Sequence, residues 1–311
     1  MDISNKTFVV VGTGKSGVAA AELLLRHAKK VYLYDGNEAL DVAAFRKQHQ
    51  SLEAVELILG TLPAEIEATL DIAVLSPGVP LDIPVVEQMK TQGICIWGEI
   101  ELAYVLGKGT VVAITGTNGK TTTTTLVGQI MARHFAKVQV VGNIGIPYTS
   151  VVEDTTEDTV VVAEISSFQL ETIQTFAPKA AAILNITPDH LNRHHTMENY
   201  IAAKESIVKN QSKEDICVLN YNDEVLRDFG KTLEQNVIYF SSTEVLEEGL
   251  YLDGNEIMWA RNGGREAIIS VEELHILGAH NYENAMAAIA LCDGMGVPMQ
   301  TICDGLRAFH A

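Results

Sequence analysis

Ala113-Ile114-Thr115-Gly116-Thr117-Asn118-Gly119-Lys120-Thr121-Thr122 is the stretch that decides how this chain is read. The apolar run Thr110–Thr115 predicts a buried strand, and the residues from Lys120 to about Phe135 predict a helix. Glycines at a strand-to-helix turn let backbone N–H groups close around phosphate oxygens, and the helix start adds its own unpaired amides. Lys120 can reach β and γ oxygens of a nucleoside triphosphate, and the Thr121 hydroxyl can bind Mg²⁺. The common P-loop spacing puts a glycine at position 114, which here is Ile114, so the loop is a GxxGKT variant beginning at Gly116. Gly116, Thr117, Asn118, Gly119, Lys120, Thr121 and Thr122 are the candidate nucleotide-binding residues. A glycine turn with a surface lysine is the bland alternative, and the strand–loop–helix context argues against it.

Further strands are predicted around this one, over Val138–Val141, Val160–Glu164 and Ala180–Asn185, each ending in polar residues. The strands ending at Glu164 and before Asp189-His190 are expected to flank the loop strand. A carboxylate and an imidazole there can hold a divalent metal beside a transferring phosphoryl group. On the residues alone Glu164 reads equally as a solvated strand end and His190 as a capping or surface histidine. His194 and His195 are read as capping or surface residues. Lys204, on a helix through Tyr200-Ile201-Ala202-Ala203-Lys204, reads as a solvated lysine.

Toward the N-terminus, Phe8-Val9-Val10-Val11 predicts a buried strand, followed by Gly12-Thr13-Gly14-Lys15-Ser16-Gly17 and a helix from Gly17 to about His27. Asp35 closes the next strand, 18 residues beyond Gly17, where an acid could hold a ribose hydroxyl. This GxGxxG is a weak signal by itself and does not name its nucleotide. The third strand, Ile72–Leu75, ends at Ser76-Pro77-Gly78. Strand–helix alternation predicts parallel sheets with ligands at the strands' carboxyl ends. From about Gln235 to Val271, short strands split by Asp253-Gly254-Asn255 and Asn262-Gly263-Gly264 predict a small antiparallel patch of hairpins. Helices are expected from about Asn281 to Met295 and near Thr301–Ala308.

The chain has 311 residues, with 22 Lys+Arg against 40 Asp+Glu and a net charge of −18. At roughly 100–200 residues per domain, at least two domains are expected. The acidic balance argues against binding DNA or RNA, which draws affinity from cations on phosphates. It does not exclude a small phosphorylated ligand, because screening over roughly 8–10 Å leaves local charge in control. Four cysteines without CxxC spacing indicate neither structural zinc nor a disulfide framework. No signal sequence or membrane span is visible, so a cytoplasmic location without a membrane partner is expected.

Taken together, these residues resemble the Mur ligases. The matching stretches are Gly116–Thr122, Gly142-Asn143-Ile144-Gly145, Glu164–Glu171, Asn185–His190, Ala202-Ala203-Lys204 and His280-Asn281-Tyr282-Glu283-Asn284. The resemblance implies an α/β chain, with an N-terminal Rossmann-like parallel-sheet domain over 1–97 that binds a UDP-substrate. A central P-loop ATPase-like domain over 98–305 would follow, carrying the small antiparallel patch, and 306–311 would start a third domain. It implies ATP and Mg²⁺, with UDP-N-acetylmuramoyl-L-alanine and D-glutamate as substrates. ATP phosphorylates the substrate carboxylate, and the amine then attacks the acyl phosphate. By the resemblance, Lys120 stabilises the transferring group, Thr121 and Glu164 serve one Mg²⁺, and His190 and Lys204 serve a second. That lysine is carbamylated in the family, which reverses the solvated reading of Lys204. Asn281 falls at the adenine nucleotide. Lys15, Ser16, Asp35, Ser76, Gly78, Asn143 and His190 fall at the uridine diphospho-sugar.

Two departures stand out. Asn192 replaces an aspartate that family members often carry two residues after the histidine, and Gly36-Asn37 differ from some members. A monomer is expected, and a chain ending at Ala311 is expected not to complete the ligation alone. A dinucleotide-dependent oxidoreductase would use Gly12–Gly17 and Asp35 but leaves the 116–122 loop, Glu164 and His190 idle. A non-catalytic nucleotide-binding protein is the third class.

Overall fold

A computed structural model of the chain describes residues 1–143 and 145–310. It divides into two compact units. The first holds Met1–Gly107 together with Ile146–Thr155 and Glu171–Phe176. The second holds Lys108–Gly145, Thr156–Leu170 and Ala177–Ala311.

The first unit is built on β1 (Thr7–Val11), β2 (Lys30–Asp35), β3 (Glu56–Leu59), β4 (Ile72–Leu75) and β5 (Cys95–Gly98). They form one parallel sheet in the order β3-β2-β1-β4-β5. The strand order reverses at β1, where β2 and β4 lie on either side, and this is the place where open α/β sheets bind ligands. β1 and β4 are buried along their whole length, which is why they read as unbroken apolar runs. The sequence reading passes over β3 and β5. β3 is a four-residue edge strand with only Ile58 buried, so it has little apolar pattern to show.

Two buried carboxylates on the helix Glu99–Leu106 hold the segments that return to this unit. Glu101 accepts four hydrogen bonds, from the amides of Gln174, Thr175 and Phe176 and from the Thr175 hydroxyl. Glu99 Oε1 accepts the Thr149 amide at 2.6 Å and its hydroxyl at 2.8 Å.

The second unit contains β6 (Thr110–Thr115), β7 (Val138–Gly142), β8 (Val160–Glu164), β9 (Ala180–Ile183), β10 (Ile216–Asn220), β11 (Asn236–Ser241), β12 (Gly249–Asp253), β13 (Glu256–Arg261) and β14 (Gly264–Ser270). They form one sheet in the order β14-β13-β12-β11-β10-β9-β6-β8-β7. The pairing is parallel from β7 across to β12 and antiparallel through β12, β13 and β14. The antiparallel patch is therefore smaller than the sequence predicts. Val237–Phe240 lies within β11, which pairs in parallel with β10, a buried strand that the sequence reading passes over. The Asn262-Gly263 turn has positive φ at both residues, which suits a two-residue hairpin.

The helices Lys120–Met131, Ala279–Gly294 and Met299–Ala308 contribute to the second unit's core, with Leu306 and Phe309 buried in it. Among the described residues no helix is long and apolar enough to cross a membrane. All four cysteines are free thiols.

Burial is the largest influence on Glu99 and raises its carboxyl above the ordinary 4.5, against the lowering effect of the Thr149 and Tyr148 hydrogen bonds. The folded state thus binds this proton more tightly than the unfolded chain does. Its stabilisation is complete below about pH 4.5 and is lost as pH rises through the raised folded value. Glu99→Gln is expected to flatten that part of the stability profile. Urea midpoints of both proteins from about pH 5 to 8 check it, and parallel profiles would contradict it.

Candidate nucleotide site

β6 lies between β9 and β8, so its carboxyl end opens between theirs, as the sequence predicts. The loop that follows is tied to the end of β9. Asn118 donates its amide to Asn185 Oδ1 at 2.8 Å, and Asn185 Nδ2 donates back to the Asn118 carbonyl at 3.1 Å. The Thr117 amide donates to the Asn185 carbonyl, and its hydroxyl lies 3.0 Å from the Tyr200 hydroxyl. Gly119 begins the helix with φ +83°, a left-handed conformation that glycine adopts without strain. A Cβ there would stand 2.4 Å from Asn284 Oδ1, so any larger residue would be strained by the backbone and would also displace the Asn284 side chain.

Two lysines meet on this loop. Lys120 Nζ donates to the carbonyls of Gly116 at 3.0 Å and Thr117 at 2.9 Å. Lys204 Nζ donates to the same Gly116 carbonyl at 2.8 Å and lies 4.8 Å from the centre of the Tyr200 ring. Lys204 is 2% exposed, which corrects its reading as a solvated helix lysine. Burial, and after it the Lys120 charge, bring its pKa down to about 7, against the pull of Asp189. Lys120 is also lowered, chiefly by burial, with Glu164 and Asp189 opposing. Tyr200 and Lys204 share a helix face at i, i+4, a spacing that could have flagged the pair.

Glu164 is buried at the end of β8 and accepts from Asn143 Nδ2 at 3.1 Å. Thr121 is exposed in the first helical turn, and Thr122 is half-buried beside it. His190 is exposed, with φ +51°. Its Nε2 lies 3.3 Å from Asp189 Oδ2, and its ring centre lies 5.0 Å from that of Phe168. Among the described residues no hydrogen bond joins His190 to Glu164 or Lys204, and no three His, Cys, Asp or Glu side chains cluster to hold a metal. His194 is buried, not at the surface, with Nε2 2.9 Å from Ser167 Oγ. Burial foremost, then the charges of Arg193 and Lys204, bring its pKa to about 4, so the ring is neutral at physiological pH. Asn281, in the first turn of its helix, donates to the Leu277 carbonyl and accepts from Asn284. Asn185, Tyr200 and Asn284, which the sequence reading names only within longer stretches and gives no role, are thus placed at this site, together with His194, which it read as a capping or surface residue.

In the first unit, the Gly12–Gly17 turn lies between β1 and the helix Lys15–His27. A Cβ on Gly17 would fall 1.9 Å from the Gly12 carbonyl oxygen, so only glycine permits this helix-to-strand approach. Asp35 accepts from the Thr13 amide and hydroxyl and from the Asn37 amide. Burial raises its pKa, but these hydrogen bonds outweigh that and leave it lowered. The carboxylate therefore closes the turn as well as facing it. Ser76 Oγ approaches the Gly12 carbonyl at 3.4 Å, while Lys15 and Gly78 are exposed. Asn143 belongs to the other unit.

A largely parallel α/β sheet with a glycine loop at the carboxyl end of an inner strand, opening a helix, is the build of a nucleotide-binding class of protein. Residues 114–292 match the Mur ligase middle domain, and residues 6–98 match the MurD-like N-terminal domain of Mur ligases. UDP-N-acetylmuramoylalanine–D-glutamate ligase of Lachnoclostridium phytofermentans is 50% identical over 311 residues, covering 100% of this chain and 68% of that protein. The protein of the same name from Clostridioides difficile is 41% identical over 310 residues, covering 99% and 68%. Among solved structures, UDP-N-acetylmuramate–alanine ligase from Thermotoga maritima shares the fold, with a TM-score of 0.55 at 23% identity, covering 98% of this chain and 68% of that one. The chain belongs to the Mur ligase family, whose members are ATP-dependent amide ligases.

Gly119→Ala is expected to destabilise the protein by about 1–3 kcal/mol, from the strained φ and the contact with Asn284. Thermal or urea unfolding measures this, and a neutral substitution would contradict the packing described.

Proposed function

We propose that this chain binds Mg-ATP on Gly116–Thr122 and activates the carboxylate of UDP-N-acetylmuramoyl-L-alanine for amide formation with D-glutamate, in peptidoglycan precursor synthesis. The observation that carries the reading is the convergence of Lys120 and Lys204 on the Gly116 carbonyl. Lys120 and the loop amides favour a polyanion there despite the net charge of −18, and Lys204 adds positive charge only while it is an ammonium. The loop amides hold the phosphates, and Lys120 offsets charge developing on the transferred phosphoryl group. A carboxylate is a poor electrophile. Transfer of the γ-phosphoryl group to it gives an acyl phosphate and ADP. The amine then attacks the acyl carbon, phosphate leaves, and the amine loses a proton.

The hydroxyl of Thr121 and the buried carboxylate of Glu164 are hard oxygen donors that fit Mg²⁺. Mg²⁺ keeps several water and phosphate ligands, so one or two protein oxygens suffice to place it. When bound, Mg²⁺ neutralises phosphate charge. His190 and Lys204 fit a second ion only with Lys204 as its carbamate. An amine with a pKa of about 7 is neutral often enough at physiological pH to add CO₂ with loss of a proton. In the first unit, the Gly12–Gly17 turn with Lys15, Ser16, Asp35, Ser76 and Gly78 takes the uridine diphospho-sugar.

Calorimetry with Mg-ATP, using NADH as the control, tests the reading. Saturable Mg-ATP binding is expected, and it should weaken by about a hundredfold, or about 3 kcal/mol, in Lys120→Ala. NADH binding with no response to Mg-ATP would instead favour an oxidoreductase.

A further inference from the structure

We infer that Glu283 is a positioning residue for the nucleoside end of the nucleotide, fixing Asn281 and Asn284 by tying their helix to the ends of β10 and β11. The inference rests on the nucleotide reading above. Glu283 Oε1 accepts from Asn222 Nδ2 at 2.9 Å and from Ser242 Oγ at 2.6 Å, and Oε2 accepts from Asn220 Nδ2 at 3.1 Å. The donors come from three places: the last residue of β10, the turn after it, and the residue just beyond β11. Among the described residues, Glu283 makes no hydrogen bond to the first-turn amides of its own helix. It therefore works as a tether to the sheet, not as a helix cap.

The tether reaches the site from both sides. Asn220 Nδ2 also donates to the Leu184 carbonyl at 3.1 Å, and Leu184 packs so close to Gly116 that a Cβ there would lie 3.0 Å from its own. Asn222 Oδ1 is in turn held by the hydroxyls of Ser241 and Thr243. On the helix, Asn284 is 5% exposed and abuts Gly119, while its Nδ2 donates to Asn281 Oδ1 at 3.3 Å. An ionised carboxylate can accept from three donors at once, and such charge-assisted bonds are the stronger kind. A neutral side chain at 283 would leave amide donors unpaired and let the first helical turn shift. Phosphate groups held by the loop amides and lysines would feel this less than a nucleoside beside Asn281, one helical turn before Asn284.

The test compares affinities for Mg-ATP and Mg-tripolyphosphate by calorimetry on the 311-residue chain. Glu283→Ala is expected to weaken Mg-ATP by at least about tenfold and Mg-tripolyphosphate by less than about twofold. Asn222→Asp combined with Glu283→Gln reverses one donor–acceptor pair and is expected to regain most of the loss seen in Glu283→Gln alone. That pair of variants carries the comparison should Glu283→Ala not fold. Equal losses for the two ligands, unchanged Mg-ATP affinity, or no recovery in the double variant would overturn the inference. A wild-type chain that binds neither ligand would instead refute the nucleotide reading.

Discussion

Lys120 and Lys204 both spend a hydrogen bond on the carbonyl oxygen of Gly116, and neither is well solvated. Burial foremost, and after it the charge of Lys120, brings Lys204 down to about 7. One backbone oxygen is a small counterweight to two ammonium groups. The opposing carboxylates of Glu164 and Asp189 influence Lys120, but Glu164 is also bonded to Asn143, and Asp189 lies beside His190. The turn therefore sets two lysine amino groups among the carboxylates of Glu164 and Asp189, in a chain whose net charge is −18. In the proposed complex a phosphorylated ligand meets the loop amides, Lys120 and Mg²⁺ at close range, while the field of the distant acidic residues is screened by salt within roughly 8–10 Å.

The sheet makes this concentration possible. Placing β6 between β8 and β9 brings the carboxyl ends of three parallel strands together, so Glu164, the 116–122 loop and the Asn185–His190 segment emerge side by side. The loop is then fixed by side chains, through the Asn118–Asn185 pair, the Thr117–Tyr200 contact and Asn284 against Gly119. Such preorganisation matters for phosphoryl transfer, where most of the catalytic effect is positioning and electrostatics. Membership of the Mur ligase family fits a protein built this way, with one unit bearing a phosphate-type loop and another bearing a Rossmann-like turn.

Much of this was legible in the residues. Long buried strands such as β1, β6 and β8 announce themselves as unbroken apolar runs, and the glycines of the loop mark where the chain must turn tightly. Other features left no local trace. Lys204 looks like any helix lysine, because its burial comes from Tyr200 and from a loop 88 residues away in sequence. His194 likewise owes its neutral, buried state to Ser167 on another segment. β11 reads as part of a hairpin region because pairing direction is not written in a single strand. Its partner β10 was the missing cue, a five-residue run buried throughout. Asp35 shows the opposite limit: its position suggested a ligand contact, while its hydrogen bonds to Thr13 and Asn37 depend on how the turn folds.

A crystal structure of the chain with Mg²⁺ and a non-hydrolysable ATP analogue, grown in bicarbonate, tests the central claim most directly. The account predicts β and γ phosphates within hydrogen-bonding distance of the 116–122 amides and Lys120, metal on Thr121 and Glu164, and Lys204 released from the Gly116 carbonyl. Phosphates bound away from this loop, or a loop left empty at saturating analogue with both lysines still on Gly116, would contradict it.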